Sequence, residues 1–327
     1  MALFRIVLFG VHLLVAFLLL ATLLNAYVPP RVFGYLNLLS LAFPILFAGY
    51  VGLCLFWIFS WRKRAFFFIA LGVFFMRPVQ RWVNYSEDSG RQGNLKIITF
   101  NTKNGAYSSD EAERQTLAFL EKEAADIVLL QENTFDQVGA NDLQYPVVGL
   151  RTKHRILHHE KLTDDQTNGH AFYADIDLGR TVVRVVNVYL EPYYMTKAMI
   201  KPEGDAQTNK TKAEALVGRL VPTYKIHQDQ VLRIRRAIEE SPYPVILGGD
   251  FNSVPNSWEY YHLGKGLKDA FQAVGNGSGT SFHDYKIPLR IDYLFASEAI
   301  CPVSYKVDRT VTSSDHYPVI ATFTLEK

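Results

Sequence analysis

The sequence predicts an α/β protein, a mixed sheet core with flanking helices, carried behind a membrane-inserted helical module. Three observations point there. Charge is divided: residues 1–86 hold seven basic side chains and no acidic one, while residues 87–327 carry the other 27 of the 34 basic residues against all 32 acidic ones, a net charge of −5. Residues 1–76 are dominated by uncharged apolar runs. Beyond residue 94, short β-rich runs mix with helical stretches without strict alternation. An apolar fraction of 49% excludes a disordered chain. Two cysteines, Cys54 and Cys301, exclude a disulfide framework and leave the redox compartment open. The acidic second part lacks the clustered Lys and Arg of a strongly basic nucleic-acid binder.

The first 85 residues read as the membrane module. Residues 6–24 carry no charge and would reach about 28 Å as a helix, close to the hydrocarbon thickness. A cleaved signal peptide behind Arg5 is the alternative, but no small-x-small site follows. Prolines 29 and 30 stop a helix, and Tyr27, Phe33 and Tyr35 suit an interfacial belt. Residues 36–61 form a second uncharged run, with Pro44 inside it. Arg62, Lys63 and Arg64 make a basic turn, which the positive-inside rule places in the cytoplasm. Residues 65–76 form a third apolar run of about 18 Å as a helix. It either spans, lies at the interface or re-enters. Three spans are preferred, which puts the remaining chain outside the cytoplasm, most simply at a bacterial inner membrane. No charged residue lies within a span, so the module reads as an anchor and not a transport path.

Residues 94–327 read as the second domain. Strands are expected at 95–100, 125–130, 145–150, 171–176, 181–190, 243–247, 291–295 and 319–325. A helix is expected over 110–124, capped by Ser108 or Ser109 with acids in its first turn. Residues 205–240 have helical composition, interrupted by Pro222. No internal repeat occurs.

Polar residues gather where the strands stop: Asn101 after IITF, Glu132 after IVLLQ, Asp250 and Asn252 after VILGG, Asp292 within RIDYLF, and Asp315-His316 before YPVI. Singly, each reads as a turn former or N-cap; jointly, they read as a site on loops held by a scaffold. Carboxylates and amides are hard oxygen donors that suit Mg²⁺, or Mn²⁺, better than zinc. A divalent ion among them suits phosphoester hydrolysis.

The series TFN (99–101), QE (131–132), NVYL (187–190), GGDFN (248–252), RIDYLF (290–295) and SDHYPV (314–319) resembles the endonuclease/exonuclease/phosphatase family, in order and over the whole of 94–327. It is most similar to bacterial members with N-terminal membrane helices. The resemblance implies a four-layered sandwich, two packed mixed sheets flanked by helices. It implies a metal set of Glu132, Asn101 and Asp315. Asp250 would orient or deprotonate the attacking water, and Asn252 would hold a phosphate oxygen. His316 would contact phosphate or move a proton, its ring fixed by Asp292. Tyr189 departs from the His many members carry in the NVHL-type motif; a phenol donates to phosphate but is a poor shuttle at neutral pH. It reads otherwise as a strand aromatic. His170 reads as a loop histidine, with a site role as the alternative.

Residues 191–236 form a long insertion in which Tyr193, Tyr194, Met195, Met199 and Ile200 alternate with Lys197 and Lys201. It reads either as a membrane-facing lip or as a solvated helix. The expected function is a membrane-anchored, Mg²⁺-dependent phosphoesterase acting on a phosphodiester or phosphomonoester, with a lipid head group favoured. A nuclease on the same scaffold and a non-catalytic membrane-tethered scaffold are the alternatives. Intact site positions disfavour the last, and the acidic balance disfavours nucleic acid as partner.

Overall fold

The computed structural model describes residues 2–87, 90–103, 109–133, 139, 141–164, 166–284 and 288–325. Every strand run expected from sequence is present within a residue or two at either end, except that 145–150 begins later and 243–247 ends later. The strands form two six-stranded mixed sheets. The first has the order β13 (Ile300–Val307), β14 (Val319–Leu325), β2 (Leu95–Asn101), β3 (Ile127–Gln131), β5 (Val148–Thr152) and β4 (Leu143–Gln144). The second runs β10 (Lys268–Asp269), β12 (Asp292–Ala296), β9 (Val245–Asp250), β8 (Val182–Tyr189), β7 (His170–Asp177) and β6 (Arg155–Lys161). Each sheet has one parallel pair, β2/β3 and β8/β9; the other pairings are antiparallel.

Period-two geometry explains why the central strands are apolar throughout. Leu95 and Ile97 of β2, Ile127 and Leu129 of β3, and Val183 and Val185 of β8 face the opposite sheet and fill the space between the two. Ile98, Phe100, Val128 and Leu130 face away, under Leu120 of α6 (Asp110–Glu123). On the second sheet, Val186, Val188, Leu247 and Phe295 face outward under Val231, Ile234 and Ile238 of α8 (Ala206–Glu239) and Trp258 of α9 (Trp258–Leu263). Helix, sheet, sheet and helix make the four expected layers. Ser109 accepts from Ala112 N and caps α6; Ser108 lies outside the described residues. Pro222 does not interrupt α8, contrary to expectation. Tyr224, Leu220 and His227 are buried on either side of it, and that packing holds the helix through one missing backbone donor.

The N-terminal module is a set of apolar helices: α1 (Ala2–Thr22), the short α2 (Pro30–Phe33), α3 (Leu36–Phe59), α4 (Arg64–Gly72) and α5 (Met76–Gln80), the last two joined by a 3₁₀ turn at Val73–Phe75. Two of these stretches are long and apolar enough to cross a membrane, Ala2–Ala26 and Leu36–Phe59. The third run is not a single helix but this end-to-end sequence of turns. It climbs back along the other two. Arg64 lies over Phe9 and Trp57, and Phe68 stacks on His12, while Phe75 meets Tyr50. The long apolar helices are not free of buried polar groups either. His12 is fully buried and accepts a hydrogen bond from Trp57 Nε1 at 3.0 Å.

The two ends of the module reach the sheet domain at one residue. Asn25, after α1, donates to Asn256 O at 3.1 Å; Asn256 Nδ2 donates to Pro78 O at 3.3 Å, and Arg81 donates to Asn256 Oδ1 at 2.8 Å. β1 (Val83–Tyr85) then pairs with β11 (Asn276–Ser278). At the start of α3, Asn37 donates to Glu259 Oε2 at 2.7 Å and accepts from Trp258 N at 2.8 Å. All these groups are buried, so Asn37→Leu would strand a carboxylate oxygen and an N–H at about 1–3 kcal/mol each. The expected result is a lower melting temperature of the detergent-solubilised chain and faster proteolysis between residues 22 and 36. Unchanged melting and cleavage would show that these bonds do not fasten the module.

Candidate active site

The parallel pairs decide where the site forms. β2 and β3 end side by side at Asn101 and Gln131, and β8 and β9 end side by side at Tyr189 and Asp250. Asp292 opens β12 directly across from Asp250. The two sheets therefore deliver polar residues to one edge. Asn101 Nδ2 donates to Glu132 Oε1 and to Asp250 Oδ2, both at 3.0 Å. Tyr189 OH donates to Glu132 Oε1 at 3.0 Å. His316 Nδ1 lies 2.8 Å from Asp292 Oδ2, and its Nε2 lies 3.8 Å from Asp250 Oδ2. Lys103 is ion-paired with Asp315.

Backbone strain gathers here. Lys103, Glu132 and Asn252 sit at φ +48°, +46° and +45°, a region that costs most L residues free energy and collects at functional sites. Gly249 is at φ +136°, and a Cβ there would lie 1.9 Å from Val188 O. Only glycine lets β8 and β9 close beside Asp250.

Electrostatics follow from burial. Burial, then the neighbouring Asp292, raises the Asp250 carboxyl to about 7, against the opposing pull of His316 and the donors Asn252 N and Asn101. Burial disfavours the charged form of His316, but Asp292, then Asp250 and Asp315, outweigh it and hold the imidazolium up to about 10. Burial, then Glu132 and Asp250, pushes the Tyr189 phenol far above its ordinary value. It is a hydrogen-bond donor at any physiological pH. Lys103 resists its own desolvation and is raised by Asp315, Asp284 and Glu132.

A sequence profile of the endonuclease/exonuclease/phosphatase family matches residues 98–316. The chain belongs to that family. A second profile, of a domain of unknown function, matches residues 5–82. No curated protein matches the sequence. Among solved structures, a humanized D. rerio TDP2 superposes with a TM-score of 0.52 at 16% identity, covering 70% of this chain and 98% of its own. The human Nocturnin catalytic domain, with bound sulfate, superposes at 0.50 and 14% identity, covering 71% and 94%. These two likenesses concern the fold. Members of the family are metal-dependent hydrolases of phosphoester bonds, and this chain is a hydrolase of that class.

The donor chemistry fits a divalent metal. Glu132, Asn101 and Asp315 offer oxygens at the edge shared by β2, β3 and the turn before β14, and Ser314 Oγ ties that turn to Asn101 O at 2.8 Å. The Lys103 ammonium is a stand-in cation: it pairs with Asp315 and feels Glu132. Asp250, Asp292 and His316 converge within 4.8 Å, but Nδ1 of the imidazole is engaged by Asp292. That trio is suited to water and phosphate.

All eight residues expected from sequence meet here or line the same pocket. Asn252 does so through its neighbours: its N donates to Asp250 Oδ1 at 2.7 Å and its Nδ2 to Leu190 O at 2.9 Å. Tyr189 is neither a plain strand aromatic nor aimed first at phosphate, since its hydroxyl holds Glu132. His170 is not in a loop; it opens β7 opposite Tyr189 and is buried. Sequence reading missed Lys103, two residues beyond TFN; its left-handed φ leaves no mark in composition. It also missed the buried chain in which Glu259 binds Asn37 and His227, and Ser253 meets His227 at 3.3 Å. Gly249→Ala is expected to force β8 from β9, abolishing phosphoester turnover and lowering the melting temperature. An active, stable Gly249→Ala variant would contradict the close approach.

Proposed function

We propose that the protein is a membrane-anchored, Mg²⁺-dependent phosphoesterase that works on a substrate at the bilayer, a phosphodiester or phosphomonoester such as a lipid head group. The observation that carries this reading is the joint placement of Asp250 between Asn101 Nδ2 at 3.0 Å and His316 Nε2 at 3.8 Å. A general base, a cationic donor and the oxygen donors of a metal site share one edge there.

In this reading Asp250 takes a proton from the attacking water, whose oxygen bonds to phosphorus as the ester P–O bond breaks. His316, oriented by Asp292, donates Nε2–H to a phosphate oxygen and keeps that proton. The leaving oxygen takes its proton from water, and the proton taken up by Asp250 passes back to solvent when the product leaves. Asn252 holds a phosphate oxygen, and Tyr189 and Asn101 fix the Glu132 carboxylate. Glu132, Asn101 and Asp315 would hold the Mg²⁺, which would supply positive charge against the charge developing on the phosphoryl oxygens.

The anchor supports a bilayer substrate, because tethering raises effective concentration at the surface. The module also supports a topology. Both the loop after α1 and the end of α5 bond Asn256, whereas Arg62, Lys63 and Arg64 lie at the far end with the start of α1, where Phe4 meets Phe56. The chain thus passes the bundle three times. With the basic turn in the cytoplasm, the sheet domain faces the other side, as at a bacterial inner membrane.

Two experiments test this. Detergent-solubilised protein should hydrolyse bis(p-nitrophenyl) phosphate with Mg²⁺ or Mn²⁺ and stop with EDTA. Asp250→Asn should lower kcat by about 10²–10⁴-fold, and Glu132→Ala should lose Mn²⁺ binding. Metal-independent turnover, or turnover unaffected by both substitutions, would sink the assignment. For topology, single cysteines Lys63→Cys and Ala299→Cys, with Cys54 and Cys301 replaced by Ser, should react with an impermeant maleimide from opposite faces. Labelling from one face would rule out three passes.

A further inference from the structure

The catalytic edge opens into a pocket of about 310 Å³. Its floor is polar, with Glu132, Asn252, Asp315 and His316. Its walls are of another kind. Leu220 of α8, Val254 and Ile291 are buried apolar side chains, and Tyr194 and Met195 form part of the rim. One wall belongs to the anchor: Ser40 and Leu41 of α3 line the same pocket as the catalytic groups.

A binding site for a polymer of phosphodiesters, or for a free sugar phosphate, would carry cations and amides above the phosphate position. Here the lining cation, Lys103, is already paired with Asp315, and Ser40, Ser253 and Ser257 stand among walls that are largely apolar. The apolar surface does not stop at the pocket. Leu41 is 36% exposed, and Ile45, one helical turn further into the apolar run and on the same face, is 79% exposed. Together they make a stripe leading from the pocket along a helix long and apolar enough to cross the bilayer. The volume sits at the lower end of the roughly 300–1,000 Å³ of small-molecule sites. It takes a head group and the first carbons behind it, not a whole lipid.

We propose that the substrate is a phosphoester bearing acyl chains that remain in the membrane, with its phosphate beside Asp250 and His316 and its chains leaving along Leu41 and Ile45. The anchor is then part of the substrate site and not only a tether. This rests on the phosphoesterase reading above. The insertion at 191–236, expected from sequence either as a membrane-facing lip or as a solvated helix, lines the same pocket through Tyr194 and Met195.

The test compares two substrates in the full-length, detergent-purified and reconstituted protein. One is bis(p-nitrophenyl) phosphate in solution. The other is the phospholipid of vesicles made from phosphatidylcholine, phosphatidylglycerol and phosphatidic acid, read as released phosphate and released phospho-head group. Leu41→Glu places a charge in the chain path, and Leu41→Trp fills it. Each should lower the ratio of lipid kcat/KM to soluble-ester kcat/KM by roughly tenfold or more, the worth of one well-packed leucine. The ratio cancels any general loss of folded enzyme, and Val254→Trp, from the sheet domain, should move it the same way. A ratio unchanged in all three variants overturns the proposal, as does wild-type turnover of the soluble ester with none of the vesicle lipids, or preferred turnover of single-stranded DNA. Wild-type protein that leaves every ester intact would instead overturn the phosphoesterase reading beneath it.

Discussion

A polar seam between two apolar sheets sets the rest of the structure. Gln131 and Asn187 are fully buried on facing strands. Gln131 Nε2 donates to Asn187 Oδ1 at 2.7 Å, and Asn187 Nδ2 donates to Leu130 O at 3.1 Å and Gly149 O at 2.8 Å. An amide in a dry core must find its partners or cost about 1–3 kcal/mol. It therefore permits one placement of the second sheet over the first. The flanking aliphatics would tolerate a slide of one sheet over the other; these bonds do not. One residue beyond Gln131 and two beyond Asn187, the same seam becomes functional. Asn101 reaches Asp250, and Tyr189 reaches Glu132, again from one sheet to the other. The alignment that satisfies the core amides is the alignment that assembles the site.

The N-terminal helical module extends this logic outward. Among its contacts with the sheet domain are polar, directional ones: Asn25 and Arg81 on Asn256, Asn37 on Glu259, and Arg31 on Asp229. Glu259 in turn pairs with His227, which reaches Glu191 O at 2.8 Å, just after Tyr189 and Leu190. A chain of buried bonds thus runs from the first turn of a bilayer-length helix to the strand end that carries the site. Arg290 adds a second fixed point. It is buried against Asp269 at 2.6 Å and donates to Arg81 O at 3.0 Å. Fastening of this kind holds the pocket at a set height and tilt relative to the apolar helices. A flexible linker would not.

How much of this the sequence shows depends on the kind of constraint. Strands buried on both faces are legible because they must be apolar throughout, and helix α6 is legible because Ser109 and the acids of its first turn are local signals. The site positions are legible because polar residues at the ends of apolar runs stand out. The ribbon β1/β11 and the edge strands β6 and β13 were not, since β6 is largely exposed and its residues, RILHHEK, carry no apolar alternation. Pro222 misled because its local cost is offset by packing of Leu220 and Tyr224, which no window of sequence contains. His12 hid inside a hydrophobic run because its partner, Trp57, lies 45 positions away. Lys103 and the Asn37–Glu259–His227 chain were missed for the same reason: their meaning is a long-range contact and not a pattern.

Charge at the site gives the last constraint. Glu132, Asp250, Asp292 and Asp315 bring four carboxyl groups to one strand edge, in a domain that is itself net acidic. Lys103 and the His316 imidazolium offset part of this, and burial of Asp250 holds part of it protonated near neutrality. A phosphate ester would still meet more negative than positive charge, and in a buried site that repulsion is poorly screened. In the proposed reaction the phosphate must nonetheless come within reach of a water held by Asp250, the group proposed to take its proton. Two charges on a cation beside Glu132 and Asp315 reverse the balance. The need for a divalent ion follows from the carboxylates themselves.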